Sequence, residues 1–345
     1  MKKFIFFLFI LANYRAYCEE ATGAGSSFIA PVMYKWSYHF QEKSNQQINY
    51  QSIGSGAGIQ QIENHIIDFG ASDMPLSDAE LSKNHLEQFP IVVGGILMVV
   101  HLDGITPGQL ILDSESVSKI YSGYIKKWNN PHIQMLNPTL KLPDLAITVL
   151  YRADGSGTTY NFTNYLEQSS PKIWKFGHGT SIHWPDSLTG MGGKGNEGIS
   201  SLTKRTNGSI GYIEYSYAIE NKLSWTRMKN SSGNIVPNLS QSDLQNQSKI
   251  NEAFKHSFET ILKKSHFNQN QGMSISLINS SLPEAWPMTA CSYILIPQSK
   301  NKISSSKITT QFFHYALEYG AQDALSLNYI PMPDNVTNII YSKLQ

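Results

Sequence analysis

Three clusters of glycine and hydroxyl residues stand where a strand pattern gives way to a helix pattern. The first is Thr22-Gly23-Ala24-Gly25-Ser26-Ser27-Phe28, ahead of a helix expected over residues 31–43. The second is Gly54-Ser55-Gly56-Ala57-Gly58, ahead of a helix over 59–66. The third is Gly155-Ser156-Gly157-Thr158-Thr159, between a strand over 147–151 and a helix over 160–166. A helix start carries unpaired N–H groups and a partial positive charge, so it attracts anions. Glycine lets the backbone come close to the anion, and Ser and Thr add hydroxyl donors. One such cluster is ordinary capping and turn chemistry. Three at strand-to-helix junctions point to a shared crevice, because those junctions line the ligand site of open α/β sheets.

Arg152 follows the 147–151 strand directly, in Tyr151-Arg152-Ala153-Asp154-Gly155. Its guanidinium fork suits two oxygens of a tetrahedral oxyanion. Asp154 is close enough to orient it, although the same pair serves equally as a surface ion pair. The second carboxylate is Asp73, at the end of Phe69-Gly70-Ala71-Ser72-Asp73. Read alone, Asp73 is a turn residue or the cap of a helix over 76–83. In an anion site it has a sharper meaning. A carboxylate only accepts hydrogen bonds, so it can face an oxyanion only if that oxyanion carries a proton. Phosphate carries one near neutral pH and sulfate does not. A required hydrogen bond of this kind discriminates by about 10⁴–10⁵.

Other chemistries find little support. Gly192-Gly193-Lys194-Gly195-Asn196 lacks the hydroxyl that a phosphate loop needs after its lysine, and reads as a tight glycine turn. There is no Gly-x-Ser-x-Gly elbow, and no zinc-type pair among the ten histidines. His178 and His183 read as surface residues. No dinucleotide fingerprint follows a strand, so no cofactor is expected. With no metal cluster and no nucleophile–base pair, the chain reads as a non-enzyme. The rival is a secreted phosphatase or another phosphate-ester enzyme.

The elements that must position these residues alternate between strand and helix. Residues 48–53 alternate as a strand, 31–43 follow a helical spacing, 66–71 read as a short buried strand and 91–102 as a central strand or strand pair. A last strand is expected over 292–296, stopped by Pro297, then helices over 309–319 and 334–343. This order gives an α/β fold with mainly parallel sheets. Residues 229–249, rich in Asn, Ser and Gln, read as a solvated loop. No linker separates two consecutive domains, which suggests that the chain crosses between them more than once.

The chain has 345 residues, enough for about two domains. Only 15% are charged, against roughly 25% in an average soluble domain, so polarity rests on hydroxyls and amides. A net charge of +1 argues against nucleic-acid binding, which needs a basic patch. Met1-Lys2-Lys3 followed by apolar residues 4–12 reads as a secretory signal peptide, cleaved after Cys18. Lipid attachment at Cys18 is the runner-up. Cleavage removes Lys2, Lys3 and Arg15 and leaves 24 basic against 26 acidic side chains. Cys291 is then alone and reads as a small buried hydrophobe.

Taken together, the three clusters, Asp68-Phe69-Gly70-Ala71-Ser72-Asp73, Arg152 to Thr158, the segment from Gly192 to Gly198 and Ala285-Trp286-Pro287 closely resemble the periplasmic phosphate-binding protein of bacterial phosphate ABC transporters. The likeness runs from about residue 21 to 225 and resumes near 282. It implies a two-lobed periplasmic-binding-protein fold that closes on one phosphate and delivers it to inner-membrane permease subunits, acting as a monomer. The implied lobes are discontinuous: residues 19–99 with 290–345, and 100–289, joined by a two-segment hinge near 97–102 and 289–296. Carried over by position, the ligands are Ser27, Phe28 (through its backbone N–H), Ser55, Asp73, Arg152, Ser156, Gly157 and Thr158, with Asp154 holding Arg152. Ser27 stands where a Thr is common, and Gly56-Ala57 where Ser-Gly is usual. Nothing is carried across residues 229–281, and arsenate shares the shape and protonation of phosphate.

Overall fold

The computed structural model describes residues 19–267, 272–298 and 304–344. The expected signal peptide over 1–18, with Cys18, lies outside them. The first elements are β1 (Glu20–Gly25), α1 (Ala30–Ser44), β2 (Gln47–Ser52), α2 (Ser55–Glu63), β3 (Phe69–Ser72), α3 (Asp78–Lys83) and β4 (Leu86–His101). The middle of the chain adds β5 (Ile111–Asp113), α4 (Ser114–Tyr121), α5 (Pro131–Leu136), β6 (Thr148–Arg152), α6 (Gly157–Ser169), β7 (Gly190–Gly193), α7 (Gly195–Arg205), β8 (Ser209–Glu214) and α8 (Tyr215–Glu220). After these come β9 (Ser224–Trp225), β10 (Arg227–Lys229), β11 (Ile235–Val236), α9 (Gln247–Lys264) and β12 (Thr289–Pro297). The chain closes with α10 (Ser304–Tyr319), α11 (Ala321–Ser326), β13 (Ile330–Pro331) and α12 (Asp334–Lys343).

The main sheet runs β2-β1-β3-β12-β4-β8-β6-β7. Its two wings are parallel: β1 pairs with β2 and β3, and β6 with β7 and β8. The centre is antiparallel and is built on β4. From Leu86 to Gly95 this strand pairs with β12; from Ile96 to His101 it pairs with β8. One strand therefore belongs to both wings, and the expected pair of strands over 91–102 is a single strand that begins earlier. Its interior is buried throughout, as covered sheets demand of their strands. Pro90 cannot donate to a ladder. The pairing slips there, with Ser292 opposite Val92 and Tyr293 opposite Pro90, which leaves Ile91 as the extra residue of a bulge.

Two helices begin earlier than the apolar spacing indicated. α2 starts at Ser55 rather than 59, and α6 at Gly157 rather than 160. The ends of the glycine clusters are thus first helical turns, and their N–H groups point out of the helix starts. β3 starts at Phe69, later than residue 66. Ile66 is exposed, and the Asp68 carboxylate accepts the Thr22 N–H at 2.7 Å.

Other expectations need correction. Residues 229–249 are not a solvated loop. They hold the β10–β11 hairpin, with Val236 and Leu244 buried, and the start of α9. Asn230 is buried there, and its amide donates to the carbonyls of Pro283 and Ala285. A polar composition can satisfy backbone groups inside the fold as well as face water. Farther along, α9 packs the rings of Phe254 and Phe258 against Tyr215, and Phe254 also meets Trp225 and Trp286. β12 is not the last strand, because β13 pairs with β4. The segment at Gly192–Asn196 is not an isolated turn. It is the end of β7 and the start of α7, a fourth strand-to-helix junction. Cys291 is buried and free, as expected. No helix among the described residues is long and apolar enough to cross a membrane.

Candidate functional site

All eight residues carried over as ligands are buried. They come from four junctions. Ser27 and Phe28 lie between β1 and α1, Ser55 opens α2, Asp73 follows β3, and Arg152 to Thr158 span the end of β6 and the start of α6.

These junctions meet one another. The Asp73 N–H donates to Ser55 Oγ at 3.2 Å. Asn161 of α6 donates from Nδ2 to the carbonyls of Asp73 and Gly157, at 2.7 and 3.0 Å. A side chain on Gly157 would begin 2.5 Å from Ser55 Oγ and 2.7 Å from Asp73 Oδ2, so only glycine lets α6 start this close to them. Gly54 has φ +93°, a conformation other residues rarely adopt, and a side chain there would collide with Asp154 Oδ2. Beside it the Gly56 N–H donates to the Gly155 carbonyl at 2.9 Å. The second and third clusters are thus in direct contact.

Arg152 and Asp154 are not a surface pair. The arginine side chain is 1% exposed and that of Asp154 9%. Nε and Nη2 both bond the carboxylate, the first at 2.8 Å to Oδ1. Nη1 donates to Thr158 Oγ1 at 3.2 Å. Tyr212 Oη accepts the Arg152 N–H at 3.1 Å and shares a bond with Thr159 Oγ1. Burial alone would push the Asp154 carboxyl up. The bonds and charge of Arg152, with the Gly195 N–H, outweigh it and hold the group below its ordinary value. At the start of α6, Ser156 Oγ accepts from the Thr159 N–H at 3.1 Å, a normal N-cap. α2 has no side-chain cap.

Asp73 is no helix cap. The box that starts α3 is made by Ser77 and Glu80. Instead the Asp73 carboxylate is buried and accepts hydroxyl bonds from two distant parts of the chain, Ser26 and Ser292. Burial pushes it up to about 6, while the bonds from Ser292, Ser26 and Ser55 and the charge of Arg152 pull the other way. Phe28 was carried over as a backbone donor, and its N–H is engaged with Ser26 Oγ at 2.9 Å.

Sequence reasoning passed over Ser26, Ser292, Asn196 and Tyr217. Asn196 sits in the first turn of α7 and donates to Ser27 Oγ from both N and Nδ2, at 3.1 and 2.9 Å. Its own Oδ1 accepts the Glu214 N–H, which fixes the orientation of the amide. With both lone pairs of Ser27 Oγ occupied, the hydroxyl proton is left free to donate elsewhere. Tyr217 Oη donates toward the Ser27 carbonyl at 3.0 Å and toward Glu197 at 2.9 Å. Ser26 and Asn196 stood inside quoted motifs and were legible as polar residues beside glycines. Ser292 offered one signal only, a hydroxyl inside an apolar strand. The histidines lie apart: His183 is 91% exposed, and His178 pairs with Glu167 on the surface.

Chemically, the arrangement brings hydroxyl groups, helix-start N–H groups and a guanidinium held by Asp154 together with the Asp73 carboxylate. A model of the PBP superfamily domain matches residues 17–318. The phosphate-binding protein PstS of Xylella fastidiosa is 41% identical over 323 residues, covering 93% of this chain and 84% of that one. The phosphate-binding protein PstS of Haemophilus influenzae is 40% identical over 346 residues, covering 99% and 98%. A crystal structure of a phosphate-binding protein from Stenotrophomonas maltophilia shares the fold with a TM-score of 0.65 at 15% identity, covering 94% of this chain and 93% of that one. By sequence over nearly its whole length, and by an α/β periplasmic-binding-protein fold, this chain belongs to the PstS family of phosphate-binding proteins.

Proposed function

We propose that this chain captures inorganic phosphate in the periplasm and hands it to the permease subunits of an ABC transporter. The observation that carries this reading is a buried carboxylate, Asp73, set among donors that all favour an anion. Ser27, Ser55, Ser156 and Thr158 supply hydroxyls, the first turn of α6 supplies the N–H groups of Gly157 and Thr158, and Phe28 acts through Ser26. Arg152, fixed by Asp154, supplies the positive charge. The Asp73 carboxylate accepts a hydrogen bond from the proton that phosphate carries and sulfate lacks, so an unmatched acceptor–acceptor contact rejects sulfate.

An anion leaving water must regain its hydrogen bonds in the cleft. The donors come from both wings of the sheet. Phosphate therefore favours the state in which the wings meet, through contacts that only this state offers. A division into residues 19–99 with 290–345 and 100–289 accords with the change of partner along β4 between Gly95 and Ile96. The hinge is β4 and the return of the chain into β12. Capture of this kind makes and breaks no covalent bond, and the chain acts as a monomer whose partners are phosphate and the permease.

Calorimetric titration of the mature protein with phosphate and with sulfate tests the reading, with a chromogenic phosphate ester as a third arm. Phosphate should bind with a Kd near or below about 1 µM, a net of about −8 kcal/mol, sulfate should give no heat, and the ester should not be hydrolysed. Absence of phosphate binding, or turnover of the ester, would overturn it.

A further inference from the structure

Asp73 is a buried carboxylate, and such a group favours its neutral form unless donors hold the charge. Two hydroxyls do so. Ser26 Oγ donates across both oxygens, at 2.8 Å to Oδ1 and 2.7 Å to Oδ2, and Ser292 Oγ donates to Oδ1 at 2.6 Å. Both serines are buried. The direction of the first bond is fixed. Ser26 Oγ accepts the Phe28 N–H, so its own proton is the one that goes to Asp73. Ser292 reaches the carboxylate from β12, at the point where the ladder with β4 slips around Pro90. Its neighbour Tyr293 pairs with Ser72, which brings Ser292 beside Asp73. Oδ1 is thus served twice within the protein. Oδ2 faces Gly157 and Ser55, where the first turn of α6 begins.

We propose that Ser26 and Ser292 are positioning residues that determine specificity: they hold Asp73 as an acceptor and turn Oδ2 toward the ligand. The inference rests on the phosphate reading of the site. Without the two hydroxyls, Asp73 takes up a proton at neutral pH. A protonated carboxyl donates, and a donor suits sulfate as well as phosphate. The titratable groups that face Asp73 are Arg152, Cys291 and Tyr50. Burial holds the Cys291 thiol and the Tyr50 phenol well above their usual range, so both remain neutral. Of Asp73 and these facing groups, Asp73 is the one that titrates near neutrality.

The test compares the wild-type protein with the Ser26→Ala/Ser292→Ala double variant, titrated calorimetrically with phosphate and sulfate across the neutral and mildly alkaline range. The expected result at about pH 7.5 is a fall of roughly tenfold or more in the phosphate-over-sulfate preference, since one unit of carboxyl pKa is a factor of ten. The preference should return as the pH rises toward about 9 and Asp73 ionises again. A preference unchanged at every pH would overturn the proposal. So would a loss that does not recover on raising the pH, because a merely structural defect does not titrate. Should the double variant fail to fold, Ser26→Ala and Ser292→Ala are read separately by the same criterion. Wild-type protein that binds no phosphate overturns the phosphate reading as well, whereas wild-type binding beside an unaltered variant overturns this proposal alone.

Discussion

Arg152 brings a guanidinium to the site and is held by three bonds, two to Asp154 and one to Thr158. Truncating one partner of a buried, hydrogen-bonded charge pair costs about 2–5 kcal/mol. Arg152→Ala should therefore weaken phosphate binding by about a hundredfold or more, read by calorimetry. Arg152→Lys should not rescue it, because a point charge cannot serve Asp154 and the ligand through one planar fork. An unaltered affinity would remove Arg152 from the site. At this scale much was legible beforehand. The clusters around Ser27, Ser55 and Ser156 announced themselves by glycines and hydroxyls close together in sequence. Ser292 did not, since its partner Asp73 lies 219 positions away and only the sheet register brings them together.

At the scale of elements, the helix starts do most of the positioning, and α7 is the one that spacing did not reveal. Its glycines resembled a turn, while the structure uses them to aim Asn196 at Ser27. Beside it, Glu214 ends β8 and caps α8, accepting the N–H groups of Ser216 and Tyr217. It is buried, with the Tyr329 hydroxyl beside it. Burial first of all pushes this carboxyl up to about 8, against the lowering effect of the Ser216 bonds. The fold thus prefers it protonated. Its contribution is complete below the unfolded value of about 4.5 and is lost as pH rises through about 8. Glu214→Gln should accordingly be more heat-stable than the wild type at alkaline pH, by on the order of 3 °C, with the gap closing under acid conditions. Melting curves across that range check it, and a gap independent of pH would contradict the assignment. Element types were readable because β2, α1, α6 and β12 have clear periodicity. The starts of α2 and α6 were not, because Ser55 and Gly157 are poor helix formers whose place in a first turn depends on tertiary contact.

The whole molecule turns on β4, which serves both wings and changes partner at Gly95–Ile96. The long apolar run over 91–102 gave the strand away but not its double use, which depends on two partners that follow much later in the chain. Residues 229–249 were misread for a related reason. Their polar composition hides the buried Val236 and Leu244 and the start of α9, whose Phe254 and Phe258 pack against Tyr215 and, through Phe254, Trp286. That packing joins the segment to the region where the chain passes between the wings. On the phosphate reading, a protonated tetrahedral anion is held between these wings and donates its proton in a hydrogen bond to the Asp73 carboxylate. A crystal structure of the protein with phosphate tests this most directly. One phosphate should touch Ser27 and Ser55 from one wing and Arg152, Ser156 and Thr158 from the other. One of its oxygens should lie about 2.5–2.7 Å from Asp73 Oδ2, the length of a hydrogen bond to a charged acceptor. A phosphate bound outside the cleft, held by one wing alone, or kept away from Asp73 would contradict it.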